Sequence, residues 1–432
     1  MLKVLKFNLV AIMAMMSSSV LAQNLEDIYQ QVLQSDPRLL IDTLGVEIGV
    51  AREQQAFGTL LPQVSLNSNW TENKRKADGF NRDSYAGERY TLSVRQPIID
   101  MAKYYGWQRS TDIASQFSHQ QQDTQSIVRL DTIERYFSLL SANDELELTR
   151  EEKGATAKKA EQTKALYDKQ LVKITDFYEI NARLDLLASE EIDAMQAVDL
   201  AKEGLSELTN SPVDHVAALI ETVEFIQRVD DIDEWIRGST TSGSLLALQK
   251  AIDAAQKNIE QQRSGHLPVL ELSLSKQKSD IGFENSSSTS TVTEVATLNL
   301  TVPIYSGGQT TGRVYEATQQ LALAQAQFDQ EQRKITKELR DMYLGVNAMV
   351  RRTEAAVKAI DSAKKSYQAM NKSFELGIAT VSDVLDAQQA YSQSKRNYLQ
   401  AKYDYIISKS RLYHLSGKLD EDAFYKISRW LM

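Results

Sequence analysis

Residues 167–182 read YDKQLVKITDFYEINA, and residues 374–389 read FELGIATVSDVLDAQQ. Tyr167 matches Phe374, Asp176 matches Asp383 and Glu179 matches Asp386, each 207 positions apart. The same displacement recurs elsewhere. LLPQVSLNSNW at 60–70 resembles HLPVLELSLSK at 266–276, with Pro62 and Pro268 offset by 206. RQPIIDM at 95–101 resembles TVPIYSGG at 301–308, and SDPRLL at 35–40 resembles TSGSLL at 241–246. Tyr136 and Tyr343 again differ by 207. A near-constant offset across separate anchors points to an internal two-fold repeat. Each half predicts helix, strand, loop, strand, long helix, turn and helix.

The strands alternate with period two. Val64, Leu66 and Trp70 oppose Gln63, Ser65, Asn67 and Asn69, and Tyr90, Leu92 and Val94 oppose Thr91, Ser93 and Arg95. In the second half Leu270, Leu272 and Leu274 oppose Glu271, Ser273 and Ser275, while Ala296, Leu298, Leu300 and Val302 oppose Thr297, Asn299 and Thr301. That pattern marks a sheet with one apolar and one polar face. Each strand is expected to be about 10 residues, enough to cross a bilayer when tilted. A soluble hairpin on helices alternates in the same way. Long polar loops at 72–87 and 277–291, both at one end of their hairpins, favour the membrane.

Two helices are expected to be very long. From Asp100 to about Leu171, and from Gly312 to about Leu376, there is no proline. At 1.5 Å per residue each would reach about 100 Å. In the second, Val314, Leu321, Phe328, Ile335, Met342, Met349, Ala356, Ala363 and Met370 recur every seven residues. Leu339, Val346, Ile360, Tyr367 and Phe374 form a second series, interrupted at Thr353. Two heptad seams suit a helix packed on both sides, as in the wall of a tube. Four strands cannot close a barrel, and lipid does not tolerate unpaired edges. Three chains would supply twelve strands, the smallest cyclic set with room for a lumen.

Composition narrows the function. The N-terminus, MLKVLKFNLVAIMAMMSSSVLAQ, predicts a signal peptide over 1–22, cleaved near Ala22. Its removal takes away Lys3 and Lys6 and no acid, so the formal net charge moves from −9 by two to −11. Such an acidic chain is not expected to bind nucleic acid. It has no cysteine, which excludes disulfides, and four scattered histidines, which suggest no metal site. No cofactor motif or catalytic constellation emerges. Gly307 and Gly308 follow an amphipathic strand without GxGxxG, and are expected to bend the chain from strand into helix.

The ordered set NLEDIYQQVLQSDPRL, LLPQVSL, QPIIDMAKYYGW, LVKITD, SGHLPVLELS, LTVPIYSGGQ and GIATVSDVLDAQQAY resembles the TolC family of outer membrane efflux channels across nearly the whole mature chain. The resemblance implies an α+β membrane protein: a trimeric twelve-stranded β-barrel, four strands per chain, continued by a long α-helical coiled-coil tunnel. The expected organisation is a first repeat over 23–210, a linker in an equatorial belt over 211–231, a second repeat over 232–415 and a belt tail over 416–432. It further implies an exit duct in the outer membrane of a Gram-negative bacterium, reaching into the periplasm and serving efflux or type I secretion. The implied partners are outer membrane lipid, two further copies, a periplasmic adaptor and an inner-membrane RND, ABC or MFS transporter. Asp383 and Asp386 match the acids that face the axis where the family's tunnel narrows. Thr175, Asp176, Glu179, Phe374 and Ala379 occupy the tip-gating positions, and Leu171, Val172, Gly377 and Ile378 resemble adaptor contacts. The family's closing latch uses a Tyr and an Arg where this chain has Phe374 and Ala379. Two other readings weigh against these. The first-turn acids also suit the positive end of a helix dipole, with Thr380 and Asp383 as a capping box. A periplasmic coiled-coil adaptor is the alternative for the whole chain.

Overall fold

The computed structural model describes residues 23–75, 83–219, 229, 231–281 and 290–431. The leader expected over 1–22, the loop segments 76–82 and 282–289, and positions 220–228 and 230 of the expected linker lie outside the described residues. In chain order the elements are α1 (Leu25–Ser35), α2 (Pro37–Gly58), β1 (Gln63–Arg75), β2 (Asp83–Ile99), α3 (Met101–Asp168) and α4 (Ile174–Thr209). There follow α5 (Ile232–Ser239), α6 (Gly243–Arg263), β3 (Val269–Ile281), β4 (Thr291–Thr301), α7 (Gln309–Glu375), α8 (Val381–Leu415) and α9 (Glu421–Ser428). The starts of α2 and α6, β1 and β3, β2 and β4, α3 and α7, and α4 and α8 lie 206 to 208 positions apart.

The four strands form one antiparallel sheet in the order β1-β2-β3-β4. Register decides which side chains share a face. Val64 pairs with Val94 and Leu66 with Leu92, Val94 with Leu274, and Leu272 with Leu298. All the expected apolar residues therefore lie on one face. Ser65, Ser93, Ser275 and Thr297 lie on the other, where the Ser65 and Ser93 hydroxyls are 2.8 Å apart. The strands are longer than expected, at 13, 17, 13 and 11 residues. Much of 72–87 and 277–291, expected as loop, is ladder, because backbone pairing needs no apolar side chain. Lys74 pairs with Ser84 and Ser279 with Thr291 there, and just outside the second segment Lys276 and Glu294 make a cross-strand ion pair of 2.6 Å.

Gly307 and Gly308, at φ 63° and 83°, turn the chain from β4 into α7. The 68 residues of α3 and 67 of α7 give rods of about 100 Å. Every residue of the first α7 seam is buried or half-buried. Thr353, which breaks the second, is itself buried, its hydroxyl donating to the Met349 carbonyl at 2.9 Å. Next to the sheet, α2 packs on α3, α3 on α6 and α6 on α7. Farther along, α4 packs on α3, α3 on α8 and α8 on α7. Among the described residues the sheet runs from β1 to β4 without those two pairing, and neither helical row has its outer helices packed on each other beyond isolated contacts.

The main core lies midway along the rods. Ile28 and Val32 of α1, Tyr136 and Phe137 of α3, Tyr403 of α8 and Phe424 of α9 meet there. The Tyr136 hydroxyl lies 3.1 Å from the Gln23 carbonyl and 3.0 Å from that of Ala217, anchoring the bridge between Gln23 and Val216. A second bridge joins Leu219 to Leu431. Gln23, the stretch around 216–219 and Leu431 thus meet at one level of the helices.

Candidate functional site

The long helices end at two hairpin turns of matching geometry. After α3, Gln170 N–H donates to the Tyr167 carbonyl at 2.8 Å and Leu171 N–H to that of Leu166 at 2.9 Å. After α7, Gly377 N–H donates to Phe374 and Ile378 N–H to Ser373, both at 2.9 Å. Each is a Schellman cap, which needs a left-handed residue after the helix. Gly377 supplies it at φ 74° without strain. Gln170 adopts φ 63° with a Cβ in the way.

The following helix starts differ. Thr380 caps α8. Its hydroxyl oxygen accepts from Asp383 N–H at 3.2 Å, and Asp383 Oδ2 accepts from Thr380 N–H at 2.8 Å and from its hydroxyl at 2.7 Å. The Thr380 side-chain and backbone donors hold the Asp383 carboxyl below its usual range. Asp386 lies one turn on, exposed, with no such partner among the described residues. In the first hairpin Lys173 stands at the N-cap of α4 and makes no side-chain cap. Among the described residues Asp176 has only a 3.4 Å contact from the Thr175 hydroxyl, and exposed Glu179 has no ion pair. Lys173→Thr should complete a capping box with Asp176 and stabilise α4 by about 1 kcal/mol. A rise in melting temperature of the detergent-solubilised protein would verify this, and no rise would refute it.

The turns carry exposed apolar side chains: Leu171 is 68% exposed, Leu376 64% and Ile378 78%. Val172 and Ala379 are half-buried. Phe374 turns inward against a small cluster of Ala160, Ile180 and Val381, joined by Leu385. Lys159 Nζ sits 4.3 Å from the centre of its ring and 3.0 Å from Asn371 Oδ1. Phe374 thus binds α7 to α3. Neither Asp176 nor Glu179 has a hydrogen bond or ion pair to the second hairpin among the described residues.

One cluster was not anticipated from the sequence. Glu152 of α3, its side chain 2% exposed, receives Arg183 of α4 at 2.6 Å and Arg396 of α8 at 3.1 Å. Arg396 also reaches Glu145 at 2.6 Å. Gln388 of α8 donates to the Thr156 hydroxyl at 2.8 Å and the Glu152 carbonyl at 3.3 Å. The available signal was Glu152 in a three-and-four spacing with Thr149, Thr156, Ala160 and Thr163.

The chain matches the family model described as outer membrane efflux protein over residues 28–211 and 241–418. It is 30% identical to the outer membrane protein TolC of Vibrio cholerae over 97% of this chain and 96% of that protein. It is 27% identical to the alkaline protease secretion protein AprF of Pseudomonas aeruginosa, over 95% of this chain and 88% of the relative. Among solved structures, CusC superposes with a TM-score of 0.82 at 14% identity, covering 92% of each chain.

Proposed function

The chain belongs to the outer membrane efflux protein family, and from that premise we propose that three copies close one barrel and one tunnel. It is an outer membrane exit duct for efflux or type I secretion, not an adaptor; the family match covers both halves of the chain. The family consists of channels rather than enzymes. The observation that carries the assembly is the sheet. Its apolar residues share one face, where Val64, Leu66, Leu298 and Leu300 are exposed, and its outer strands have unpaired edges. In lipid those edges must pair, and three copies give twelve strands with a polar lumen.

The helical edges support the same ring. Next to the sheet α2 exposes Leu40, Ile41 and Ile48, and α7 exposes Tyr315 and Leu323. Farther along, the outer helices carry opposite charge. α4 holds nine acids against Arg183 and Lys202, while α7 beyond Tyr343 holds six bases against three acids. Complementary edges on one chain suit a closed head-to-tail ring.

In this reading 23–210 and 232–415 are duplicated repeats, and 211–231 and 416–432 complete the belt. Residues 1–22 direct export and are removed near Ala22, leaving a duct that extends into the periplasm of a Gram-negative cell. The duct works in a tripartite assembly with an adaptor and an inner-membrane pump of RND, ABC or MFS type. Its tips open when they engage it. Leu171, Val172, Gly377 and Ile378 meet the adaptor through exposed apolar tips. Thr175, Asp176, Glu179, Phe374 and Ala379 line the moving ends, and Asp383 and Asp386 form the constriction.

Deleting the gene should raise sensitivity to detergents, dyes and bile salts. Loss of a secreted protein instead would select the secretion route. Unchanged efflux and secretion, with no redundant homologue present, would sink the duct reading. Mass measurement in detergent tests the ring separately: a stable monomer or dimer would overturn it.

A further inference from the structure

In the distal half of α3 the residues spaced as a heptad seam are Thr149, Glu152, Thr156, Ala160 and Thr163, all buried. A coiled-coil seam is ordinarily apolar, and a polar residue within it sets register at some expense of stability. The α4 side of the first hairpin keeps the ordinary pattern, with Ile180, Leu187, Ala194 and Val198 buried. The polar stretch lies where α3 meets the second hairpin, through Arg396 and Gln388.

A buried ion pair is a weak source of net stability, yet losing one partner leaves a costly unpaired charge. Glu152 is held from both sides, by Arg183 of its own hairpin and Arg396 of the other. Withdrawal of α8 would strip one of them away. Further acids stand close by. A groove of about 380 Å³ between α4 and α8 is lined by Glu145, Arg183, Glu190, Asp193, Gln393 and Arg396 among others. Glu190 already lies 3.4 Å from Arg183. Each arginine is thus shared between Glu152 and a second acid of the same groove, Arg183 with Glu190 and Arg396 with Glu145, and keeps a partner if it leaves Glu152. At the tip the contacts between hairpins include the small cluster around Ala160, the Lys159–Phe374 contact and the Lys159–Asn371 hydrogen bond.

We propose that Glu152, clamped between Arg183 and Arg396, is the latch that keeps the two hairpins in register and the periplasmic end shut. The proposal rests on the duct reading and places the latch above the tip.

The test uses the full-length trimer in planar bilayers. Glu152→Gln keeps the shape and removes the charge, and should raise mean single-channel conductance several-fold. Arg396→Gln leaves Glu152 paired with Arg183 and should raise it less; it decides the matter if Glu152→Gln does not assemble. The chain has no cysteine, so Glu151→Cys with Lys395→Cys offers a unique bridging site. Their side chains now pair across α3 and α8 at 2.8 Å. A short bismaleimide across them should return Glu152→Gln to wild-type conductance. Wild-type conductance in both variants, with trimers intact by size exclusion, would overturn the latch and leave the duct standing. So would raised conductance that the cross-link does not reverse. If neither wild type nor variants conduct, the duct reading falls, and the latch with it.

Discussion

Asp386→Ala is expected to lower the channel's preference for cations by about an order of magnitude, because in the proposed trimer it would remove three charges from one confined ring. The two acids are not equivalent. Asp383 Oδ2 is occupied by the Thr380 amide at 2.8 Å and its hydroxyl at 2.7 Å, whereas Asp386 has no cap to serve. Asp386→Ala should therefore change permeation and leave folding alone. Asp383→Ala should change both, since the helix start loses its partner along with the charge. The reversal potential under a salt gradient, and block by trivalent cations, measure permeation; thermal unfolding measures the cap. Unaltered selectivity and block in Asp386→Ala trimers would remove this residue from the constriction. Acid adds a check. The carboxyl of Asp383 titrates below its ordinary value in the folded chain. Its contribution is thus present above the unfolded value of about 3.9 and is lost as pH falls through the lower folded value. The start of α8 should hold through mild acid and loosen only in strong acid.

Much of this was legible because the features are local or periodic. The prolines at 62, 97, 268 and 303 mark both strand pairs, alternation fixes the faces, and Gly377 with Thr380 and Asp383 announces a turn and a cap three residues apart. The strand ends were less legible, since a polar ladder such as Lys74 to Ser84 or Ser279 to Thr291 resembles loop. The similarity of the two halves also hid differences between them. Gln170 stands where Gly377 does, and nothing in a glutamine signals positive φ. Lys173 stands where Thr380 does, so one helix start is capped and the other is not. Glu152 was the least legible. Its partners are 31 and 244 positions away, and a charged residue in a long helix reads as solvated until both arginines are placed around it. Phe374 stands where the family's latch has a Tyr, and it stacks under Lys159 from α3, a contact that no spacing encodes.

A single methyl group at Gly243 is expected to destabilise the protomer by about 1–3 kcal/mol. Gly243 opens α6, the helix that joins the second half to the first along α3. A Cβ there would meet Asp123 N at 2.7 Å, the His119 carbonyl oxygen at 2.8 Å and Asp123 Cα at 2.9 Å. All three are backbone atoms of α3 and cannot swing aside. Ser242, the N-cap of α6, makes no side-chain cap, so this helix start depends on its close backbone packing against α3. Gly243→Ala should push the helices apart, lowering the melting temperature. Gly154→Ala is the control. It lies on an exposed stretch of α3 with nothing within 4 Å of a new Cβ, and should stabilise by about 0.5–1 kcal/mol. Melting of Gly243→Ala together with wild type would show that the two helices can separate without loss, and that the junction between the halves is carried elsewhere.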